Sequence, residues 1–270
     1  MSGPVVFVSD LGLRDEFVGV CHLVVARIAP EAHVVDLSHG VPPHDIQAGA
    51  MMLANGMAHA GPYSVALGIV DPGVGTARRA IAVKTADGPR LVGPDNGLLS
   101  LAWEALGGLT HAVEIDPAAI GSTKVSAVFH GRDVFAPAAA HIASGMPLEN
   151  VGAPVDPALL LTLELEDAEA EPGRIHGAVV DVDRFGNIRL SAKPSDLERA
   201  GFNVGTMVEI ATTATSIRAR RIVAYSDVRP GEYGMLVDAW DWVSIIRYEA
   251  SAAAGMGVTR GDPVWVALAG

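Results

Sequence analysis

The sequence predicts an α/β domain with a largely parallel sheet flanked by helices, followed by a smaller all-β, barrel-like domain. Through residues 1–155, strand-like runs, polar loops and helix patterns alternate, which is typical of parallel sheets covered by helices. Prolines and an acidic run follow at 156–173, and beyond them short apolar runs continue while helix patterns become scarce. We therefore expect an α/β domain at 1–155, an acidic linker at 156–173 and a β domain at 174–270.

The elements of the first domain are predicted from apolar periodicity and from the glycines and prolines that interrupt it. An apolar run before Asp10 predicts the first strand, and a helix pattern after Asp15 stops before Pro30. The predicted strands are 4–9, 33–37, 64–70, 81–84, 90–92 and 111–115, and the predicted helices are 16–29, 46–60, 98–106 and 134–143.

The second domain is dominated by strand patterns separated by turn residues. Its predicted strands are 174–182, 188–191, 204–211, 216–224, 234–237, 243–247 and 263–268. Helix patterns are confined to 197–200 and 248–254. Many short strands with few helices favour a mostly antiparallel sheet or barrel.

Composition narrows the class of protein. The formal charge is −12, and because a nucleic-acid groove requires a basic face, no nucleic-acid partner is expected. Half of the residues are hydrophobic, which favours a sizeable core and buried subunit contacts. No apolar run reaches the ~18 residues of a membrane span, and no signal-peptide pattern is present, so no membrane partner is expected. The single cysteine, Cys21, lies in an apolar helix pattern, which predicts a buried residue in a reducing, cytoplasmic compartment.

The chain is organised around the segment 64–83, SVALGIVDPGVGTARRAIAV. A buried strand is predicted to end before Asp71, and Arg78 lies in the same loop as Gly73 and Gly75. Polar groups at the carboxyl end of a parallel strand are where α/β proteins bind ligands, and glycines let the backbone approach a ligand closely. The same residues would also form a turn with a surface ion pair, so this segment alone leaves both interpretations open.

Similar polar loops follow other predicted strands or precede predicted helices. Asp15 and Asp133 suit helix caps as well as ligands. Arg132 and Asp133 are more readily explained as a structural pair than as a site. The residues concerned are Asp10 and Asp15, Asp95 and Asn96, and His130, Arg132 and Asp133.

Among the histidines, His130 has the most suggestive context. It follows an apolar segment and precedes a glycine and a predicted helix. A helix amino terminus favours the neutral imidazole that a general base requires. His39 and His44, in the loop after the second strand, receive no assignment, and His22 is expected to be structural or exposed.

Five segments, in order, carry a resemblance to a known family. They are SDLGLRDEFVG, VDPGVGTARR, GPDNGLLS, HGRDVFAPAAAH and DRFGN. With them the chain resembles the S-adenosyl-L-methionine (SAM) hydroxide adenosyltransferases, which are related to the enzymes that halogenate SAM. The resemblance covers nearly the whole chain and implies an α/β domain followed by a β-barrel. It also implies a homotrimer whose active sites lie between subunits.

The resemblance assigns roles to eight residues. The implied hydrolytic residues are Asp71, Arg78 and His130. The implied substrate-binding residues are Asp10 for the ribose diol, Asp15 for the methionine amino group, and Asp183, Phe185 and Asn187 of a neighbouring subunit around methionine and adenosine. One departure is the pair Asp238-Ala239, where relatives commonly have Asn-Ser. The serine hydroxyl that helps to hold the methionine carboxylate in those relatives is therefore missing.

The implied reaction is hydrolysis of SAM to adenosine and L-methionine by attack of water or hydroxide at C5′. The sulfonium is a good leaving group, so neither a general acid nor a metal or other cofactor is expected. Asp71 and His130 are expected to accept the proton of water, while Arg78 holds the developing hydroxide or fixes Asp71. A dry site between subunits would favour this charge-dispersing step.

Three other interpretations stay open at this point. A SAM-dependent halogenase is the nearest, although Asp71 would repel a halide. A metal-dependent phosphoesterase built on Asp10, Asp71, Asp95 and His130 is the second, although the loop arginines would compete with a cation. The third is a non-catalytic nucleoside-binding module.

Overall fold

The computed structural model describes residues 3–270 and contains two compact units, the first ending at Leu163 and the second beginning at Glu164. The first is an α/β unit and the second a β-barrel, so the predicted fold class is confirmed. Residues 156–163, in the stretch predicted as a linker, belong to the first unit, and residues 164–173 belong to the second. The domain limits given above remain a proposal.

The first unit alternates strands and helices along most of its length. In chain order its elements are β1 (Val5–Ser9), α1 (Phe17–Ile28), β2 (Val34–Ser38), α2 (Ile46–Met57), β3 (Val65–Ile69), β4 (Ala80–Thr85), β5 (Arg90–Pro94), α3 (Ser100–Ala105), β6 (Leu109–Ile115), a π-helical turn (Gly131–Phe135), α4 (Ala136–Ala143), a 3₁₀ turn (Leu148–Asn150), β7 (Gly152–Pro154) and a 3₁₀ turn (Pro157–Leu159).

The strands of this unit form one sheet in the order β2-β1-β3-β5-β4-β6-β7. Five of the seven, β2, β1, β3, β5 and β6, run in the same direction, and β4 and β7 run against them. From β1 the chain crosses to β2 on one side and then returns to β3 on the other. This reversal creates a crevice outside the carboxyl ends of β1 and β3, the position where α/β sheets bind ligands.

Both faces of this sheet are buried, because successive side chains of a strand point in opposite directions. In β1, Val5 and Phe7 pack with α1 and α4, whereas Val6 and Val8 belong to the core beneath α2 and α3. All five residues of β1 and of β3 are buried, as expected for the central strands of a covered parallel sheet. The two strands that lead into the crevice are therefore rigidly held.

The second unit is built from short strands. Its elements are β8 (Glu169–Glu171), β9 (Arg174–Val182), β10 (Ile188–Leu190), α5 (Pro194–Ala200), β11 (Met207–Ala211), β12 (Ser216–Arg221), a 3₁₀ turn (Tyr225–Asp227), β13 (Tyr233–Val237), β14 (Val243–Arg247), α6 (Ala252–Met256) and β15 (Pro263–Leu268).

The strands of the second unit close into a seven-stranded barrel in the order β10-β14-β13-β12-β11-β15-β9, and β8 extends β9 at the side. Closure depends on the length of β9, because residues 174–178 pair with β15 and residues 179–182 pair with β10. Closing the sheet leaves no exposed barrel edge. Ile188, Leu190, Val208 and Ile210 are buried in the barrel core.

Three predicted helices begin at least two residues later than expected, and the first of them starts at Ser100 instead of Leu98. The helix predicted from Val134 starts at Ala136 and is preceded by the π-helical turn Gly131–Phe135. The helix predicted at 248–254 is found at Ala252–Met256, because Glu249 has a left-handed φ of 56° and Arg247 bridges to Ala250 instead. Within residues 3–270, no helix combines the length and apolar character needed to cross a membrane.

Candidate active site

The structure brings Asp71, Arg78 and His130 into one hydrogen-bonded group. Asp71 follows β3, Arg78 ends the same loop, and His130 immediately precedes the π-helical turn. Arg78 donates from Nε to Asp71 Oδ1 at 2.8 Å and from Nη2 to Asp71 Oδ2. The same Nη2 lies 2.9 Å from Nδ1 of His130. Arg78 thus links the carboxylate of Asp71 to the imidazole of His130. The ion pair between Asp71 and Arg78 is therefore not the surface pair that the sequence also allowed.

Burial restricts the motion of this group and strengthens the attraction between its charges. The side chains of Arg78 and Asp71 are only 10% and 7% exposed. Beneath them, the fully buried ring of Phe135 lies with its centroid 5.0 Å from Cζ of Arg78, within the range of a cation–π contact. Phe135 belongs to the π-helical turn, a local irregularity that frequently occurs at functional sites. No sequence pattern identified Phe135 as part of the site.

The contact with Arg78 fixes the tautomer of His130. A guanidinium carries only donors, so Nδ1 of His130 must accept and the proton of the neutral ring is on Nε2. Burial lowers the pKa of His130 below its ordinary value, and the nearby positive charge of Arg78 lowers it further. His130 is therefore neutral at pH 7 and presents Nε2–H, for which residues 3–270 provide no acceptor.

The loop that carries Asp71 depends on glycine at one position. Gly75 has a φ of 78°, and a Cβ added there would lie 2.5 Å from the backbone oxygen of Ala127. Only glycine allows this close approach without strain. Thr76 Oγ1 donates to the oxygen of Gly73 at 2.7 Å and accepts from the Arg78 N–H at 3.3 Å. These contacts hold the loop in the shape that turns Arg78 back toward Asp71.

Asp10 follows β1 at the neighbouring strand end, and its carboxylate is held by the backbone of His44. The His44 N–H donates to Asp10 Oδ2 at 2.9 Å, and His44 has a left-handed φ of 68°. Such a backbone costs of order 1–3 kcal/mol and persists where the surrounding structure requires it. Sequence reasoning left His44 unassigned, and its position beside the polar end of β2 was the only available signal.

Asp10, His44, Asp71 and His130 line one pocket of about 280 Å³ in the first unit. Its apolar walls are provided by Leu11, Phe17, Pro43, Ile69, Val74, Val128 and Phe129. A few convergent polar groups in an otherwise apolar cleft is the usual composition of a small-molecule site. The pocket opens at the crevice between β1 and β3 that the sheet topology creates.

Both units match a family of known proteins. Residues 5–152 match the SAM hydroxide adenosyltransferase N-terminal domain, and residues 177–265 match the C-terminal domain of the same family. The chain belongs to the SAM hydroxide adenosyltransferase family.

Individual relatives of this family member agree along nearly the full length. A protein named (R)-S-adenosyl-L-methionine hydrolase from Salinispora tropica is 43% identical over 95% of this chain and 94% of its own. A protein of the same name from Thermus thermophilus is 37% identical over 97% and 98%. A crystal structure of an uncharacterized conserved protein from Thermotoga maritima superposes with a TM-score of 0.92 at 31% identity, covering 97% and 99%. A fluorinase from Actinopolyspora mzabensis is more distant, at 28% identity over 77% and 78%.

The sequence allowed Asp15 and Asp133 to be either helix caps or ligands. In the structure of this SAM hydroxide adenosyltransferase family member, their surroundings differ. Asp15 is exposed and does not cap α1, whose N-cap residue is Glu16 without a side-chain bond. Asp133 accepts from Arg132 at 2.6 and 2.8 Å and from the Ser126 N–H at 2.8 Å. The bond from Arg132 holds the pKa of Asp133 below its ordinary value. The predicted structural pair between Arg132 and Asp133 is therefore confirmed.

The GPDNG segment of this family member holds structure together and does not line the pocket. Asp95 is buried, accepts from Arg79 Nε at 2.8 Å and accepts from the Leu161 N–H at 2.8 Å. Asn96 donates from Nδ2 to the oxygen of Val70 at 2.9 Å. Arg78 binds Asp71 and Arg79 binds Asp95, so neither carboxylate is free to bind a metal ion. This arrangement does not favour the metal-dependent phosphoesterase considered above.

In the barrel unit, the DRFGN loop is organised by its own aspartate. Asp183 Oδ1 accepts from the N–H groups of Phe185 and Asn187 at 2.8 and 2.9 Å, and Oδ2 accepts from Asn187 Nδ2 at 2.7 Å. This arrangement leaves the Phe185 ring 69% exposed. The ring lines a further pocket of the barrel unit together with Asn187 and Tyr225.

A pocket of the barrel unit is lined by Asp238 and Ala239, the pair at which the sequence departs from its relatives. Asp238 accepts from Arg189 Nε at 2.7 Å and from Ser244 Oγ at 3.2 Å. Arg189 also donates to Asp181 at 3.3 Å. The pocket is lined by Asp181, Asp183, Asn187, Arg189, Tyr225, Asp238, Ala239, Trp240 and Ser244. The barrel thus has a polar pocket next to the DRFGN loop.

Proposed function

We propose that this protein hydrolyses SAM to adenosine and L-methionine through attack of water at C5′. The observation that carries the proposal is the hydrogen-bonded Asp71–Arg78–His130 group, of which Asp71 and His130 line a pocket together with Asp10. The relatives named (R)-S-adenosyl-L-methionine hydrolase support the substrate. Because that name specifies one configuration at sulfur, we propose the (R) epimer as the preferred substrate.

The chemistry requires little from the protein beyond placing and deprotonating water. The oxygen of water forms a bond to C5′ while the C5′–S bond breaks. The electron pair of the broken C5′–S bond remains on sulfur. The sulfonium becomes the neutral thioether of methionine, and one proton of the attacking water is released. Because the leaving group is already activated, the proposed reaction uses no cofactor and no metal. The in-line placement of water at near-attack distance supplies most of the rate enhancement.

The geometry divides the roles within the hydrolytic group. Arg78 fixes both oxygens of Asp71, and each oxygen keeps a further lone pair with which to accept a hydrogen bond from water. His130 presents Nε2–H because its Nδ1 accepts from Arg78. In our proposal Asp71 therefore accepts the proton, and His130 donates a hydrogen bond that orients the attacking oxygen. The sequence had suggested His130 as a second proton acceptor, a role that this tautomer does not favour.

Other contacts are proposed for the rest of the substrate. Asp10, held by the backbone of His44, is placed to accept hydrogen bonds from the ribose hydroxyls. Asp15, on the same exposed loop, is proposed to bind the methionine ammonium. We propose a homotrimer in which the DRFGN loop of a neighbouring copy supplies Asp183, Phe185 and Asn187. The exposed ring of Phe185 supports this assembly. A cytoplasmic location, suggested by the single buried cysteine, is part of the proposal.

Product analysis tests this function directly. Purified protein is incubated with (R)- or (S)-SAM, with and without chloride, and the products are separated by chromatography. We expect adenosine and methionine, formed faster from the (R) epimer and independently of chloride. Formation of 5′-chloroadenosine would identify a halogenase, and binding without turnover would identify a non-catalytic module. Asp71→Asn should slow turnover ~10²–10⁴-fold, the usual range for a positioned base, whereas Glu104→Gln on the exposed face of α3 should not.

A further inference from the structure

Two histidines and an aspartate meet beside β1, outside the pocket described above. His22 is on α1, Asp36 is on the edge strand β2, and His39 follows β2. His22 Nε2 is hydrogen-bonded to Asp36 Oδ1 at 2.9 Å, and His39 Nε2 lies 3.1 Å from the same oxygen. One ligand atom from each residue lies within 4.8 Å of the other two. Sequence reasoning treated His22 as structural or exposed and gave His39 no role.

His39 supplies an independent indication that this cluster binds a ligand. Its side chain is only 2% exposed, yet Nε2 makes no hydrogen bond to any of residues 3–270. Asp36 Oδ1 is close to Nε2 but lies off the direction of a ring N–H, so the 3.1 Å contact is not a hydrogen bond. A buried ring nitrogen without a partner is costly. This nitrogen lies 3.1 Å from the carboxylate of Asp36 without being bonded to it.

The other nitrogen of His39 is held as in histidines that bind metals. Nδ1 lies 2.7 Å from Ser9 Oγ, which is buried. With Nδ1–H donating to that hydroxyl, the lone pair is on Nε2, and such a hydrogen bond fixes ring and tautomer at metal sites. The ring of Phe7 packs edge-on against His39 with centroids 4.5 Å apart, and lies 6.0 Å from His22. The most buried ligand is thus preorganised.

We propose that His22, Asp36 and His39 form a site for a divalent transition metal ion of the Zn²⁺, Co²⁺ and Ni²⁺ class. Two ligand atoms bound tetrahedrally to one ion, each about 2.1 Å away, are about 3.4 Å apart, so a shift of a few tenths of an ångström from the observed 2.9 and 3.1 Å would admit the ion. The two imidazole ligands favour this class of ion, whereas Mg²⁺ and Ca²⁺ favour sites made of oxygen ligands alone. The side chains of His22 and Asp36 are 36% and 39% exposed, so water completes the coordination from the solvent side.

The ion would act on the loop that carries Asp10. The backbone oxygen of His39 accepts from the Gly12 N–H at 2.9 Å, and Ser9 Oγ accepts from the Leu11 N–H at 3.3 Å. Both contacts hold the backbone immediately after Asp10. Fixing the His39 ring therefore restrains the loop proposed to bind ribose. The site is structural, because it lies outside the pocket and contacts none of the reacting groups.

Cobalt binding tests this site without reference to catalysis. Untagged protein is stripped with EDTA, dialysed and titrated with Co²⁺ alone, and the visible d–d absorption and calorimetric heat are followed. We expect one Co²⁺ per chain, competition by Zn²⁺ and a metal-dependent rise in Tm. His22→Gln and Asp36→Asn alter exposed ligands and should each weaken binding at least ~10-fold. Ser9→Ala should weaken it ~10–100-fold, as loss of a supporting hydrogen bond does at other metal sites.

His111→Gln is the matched control, because His111 is an exposed histidine on β6 of the same unit. It should bind Co²⁺ as the unaltered protein does. The proposal is overturned if the unaltered protein binds no Co²⁺ at millimolar concentration. It is equally overturned if His22→Gln and Asp36→Asn bind Co²⁺ with unchanged stoichiometry and affinity.

Discussion

Replacing Arg78 by lysine tests the proposed hydrolytic group most sharply, since the positive charge is kept while the planar guanidinium with its several N–H donors is lost. Arg78 makes two hydrogen bonds to Asp71 and one to Nδ1 of His130, and its guanidinium lies over Phe135. A lysine ammonium is a compact charge that cannot reproduce a planar two-pronged contact while also reaching a third atom. The substitution should therefore free Asp71 to rotate and leave His130 without its fixed tautomer.

The expected loss follows from the number of bonds removed. Lysine can keep one of the three contacts, so two are lost, and hydrogen bonds to charged groups are worth roughly 1.5–3 kcal/mol each. If about 3 kcal/mol of this is expressed in the transition state, kcat falls about 150-fold, since each 1.36 kcal/mol is a factor of ten. KM should change less than about threefold, because the contacts proposed for the ribose are on the Asp10 loop.

Arg79→Lys is the matched control for this experiment. Arg79 is the next residue, and it also binds an aspartate, Asp95, through Nε at 2.8 Å, but it lies outside the pocket. Its substitution should lower Tm without a comparable loss in kcat. Turnover is measured as adenosine formed at saturating SAM, after circular dichroism has confirmed folding of both variants. If Arg78→Lys retains kcat within threefold of the unaltered protein, the assigned role of Arg78 is wrong.

Four further predictions concern neighbouring residues. His130→Gln, which keeps a donor near the Nε2 position, should retain activity within about tenfold, whereas His130→Leu should lose ~10²–10³-fold, the range for loss of one donor to a reacting oxygen; equal losses would restore the base role. Activity of the unaltered protein should persist below pH ~6.5 and fall as pH drops through the lowered pKa of His130, because only the neutral ring accepts from Arg78. Asp10→Asn keeps the acceptor for the His44 N–H but removes the charge, so KM should rise at least ~10-fold with kcat little changed; an unchanged KM would mean that Asp10 only supports its loop. Gly75→Ala should lower Tm more than Gly121→Ala, because both have positive φ but only the former would clash; equal shifts in Tm would exclude the clash.

Local sequence patterns predicted the fold well because the periodicity in each unit is strong. The β3 segment is apolar throughout and ends at a loop with an acid and two arginines, which is sufficient to predict a buried strand and its polar carboxyl end. The barrel strand β9 was predicted with its observed limits, Arg174–Val182. The π-helical turn at Gly131–Phe135 was missed, because its i→i+5 bonding depends on packing around Phe135 and has no sequence periodicity of its own.

The site was predictable where a motif contains its own partner. Asp71 and Arg78 are seven residues apart in one loop, and their pairing follows from that loop. The contact between Arg78 and His130 spans 52 residues, so the protonation pattern of His130 required the fold. His44 was missed because its contribution is a backbone N–H and a left-handed φ, neither of which depends on its side chain. The cluster of His22, Asp36 and His39 is likewise assembled from three separate elements.

Burial also decided questions that composition left open. Cys21 is fully buried, and burial raises the pKa of its thiol to about 12, so it is an unreactive core residue, as its helix pattern predicted. Asp95 was grouped with the site by its position before a helix. Its buried contacts with Arg79 and Leu161 identify a structural role instead. Residue type and spacing could not separate the structural Asp95 from Asp71, because both follow strands of the same sheet.

The most direct test of the central claim is the fate of solvent oxygen. The protein is incubated with SAM in water enriched in ¹⁸O, and adenosine and methionine are analysed by mass spectrometry. Attack of water at C5′ predicts one ¹⁸O on the 5′-hydroxyl of adenosine and none in methionine. Adenosine that forms without the label, or label that appears in methionine, would contradict attack at C5′ and with it the roles assigned to Asp71, Arg78 and His130.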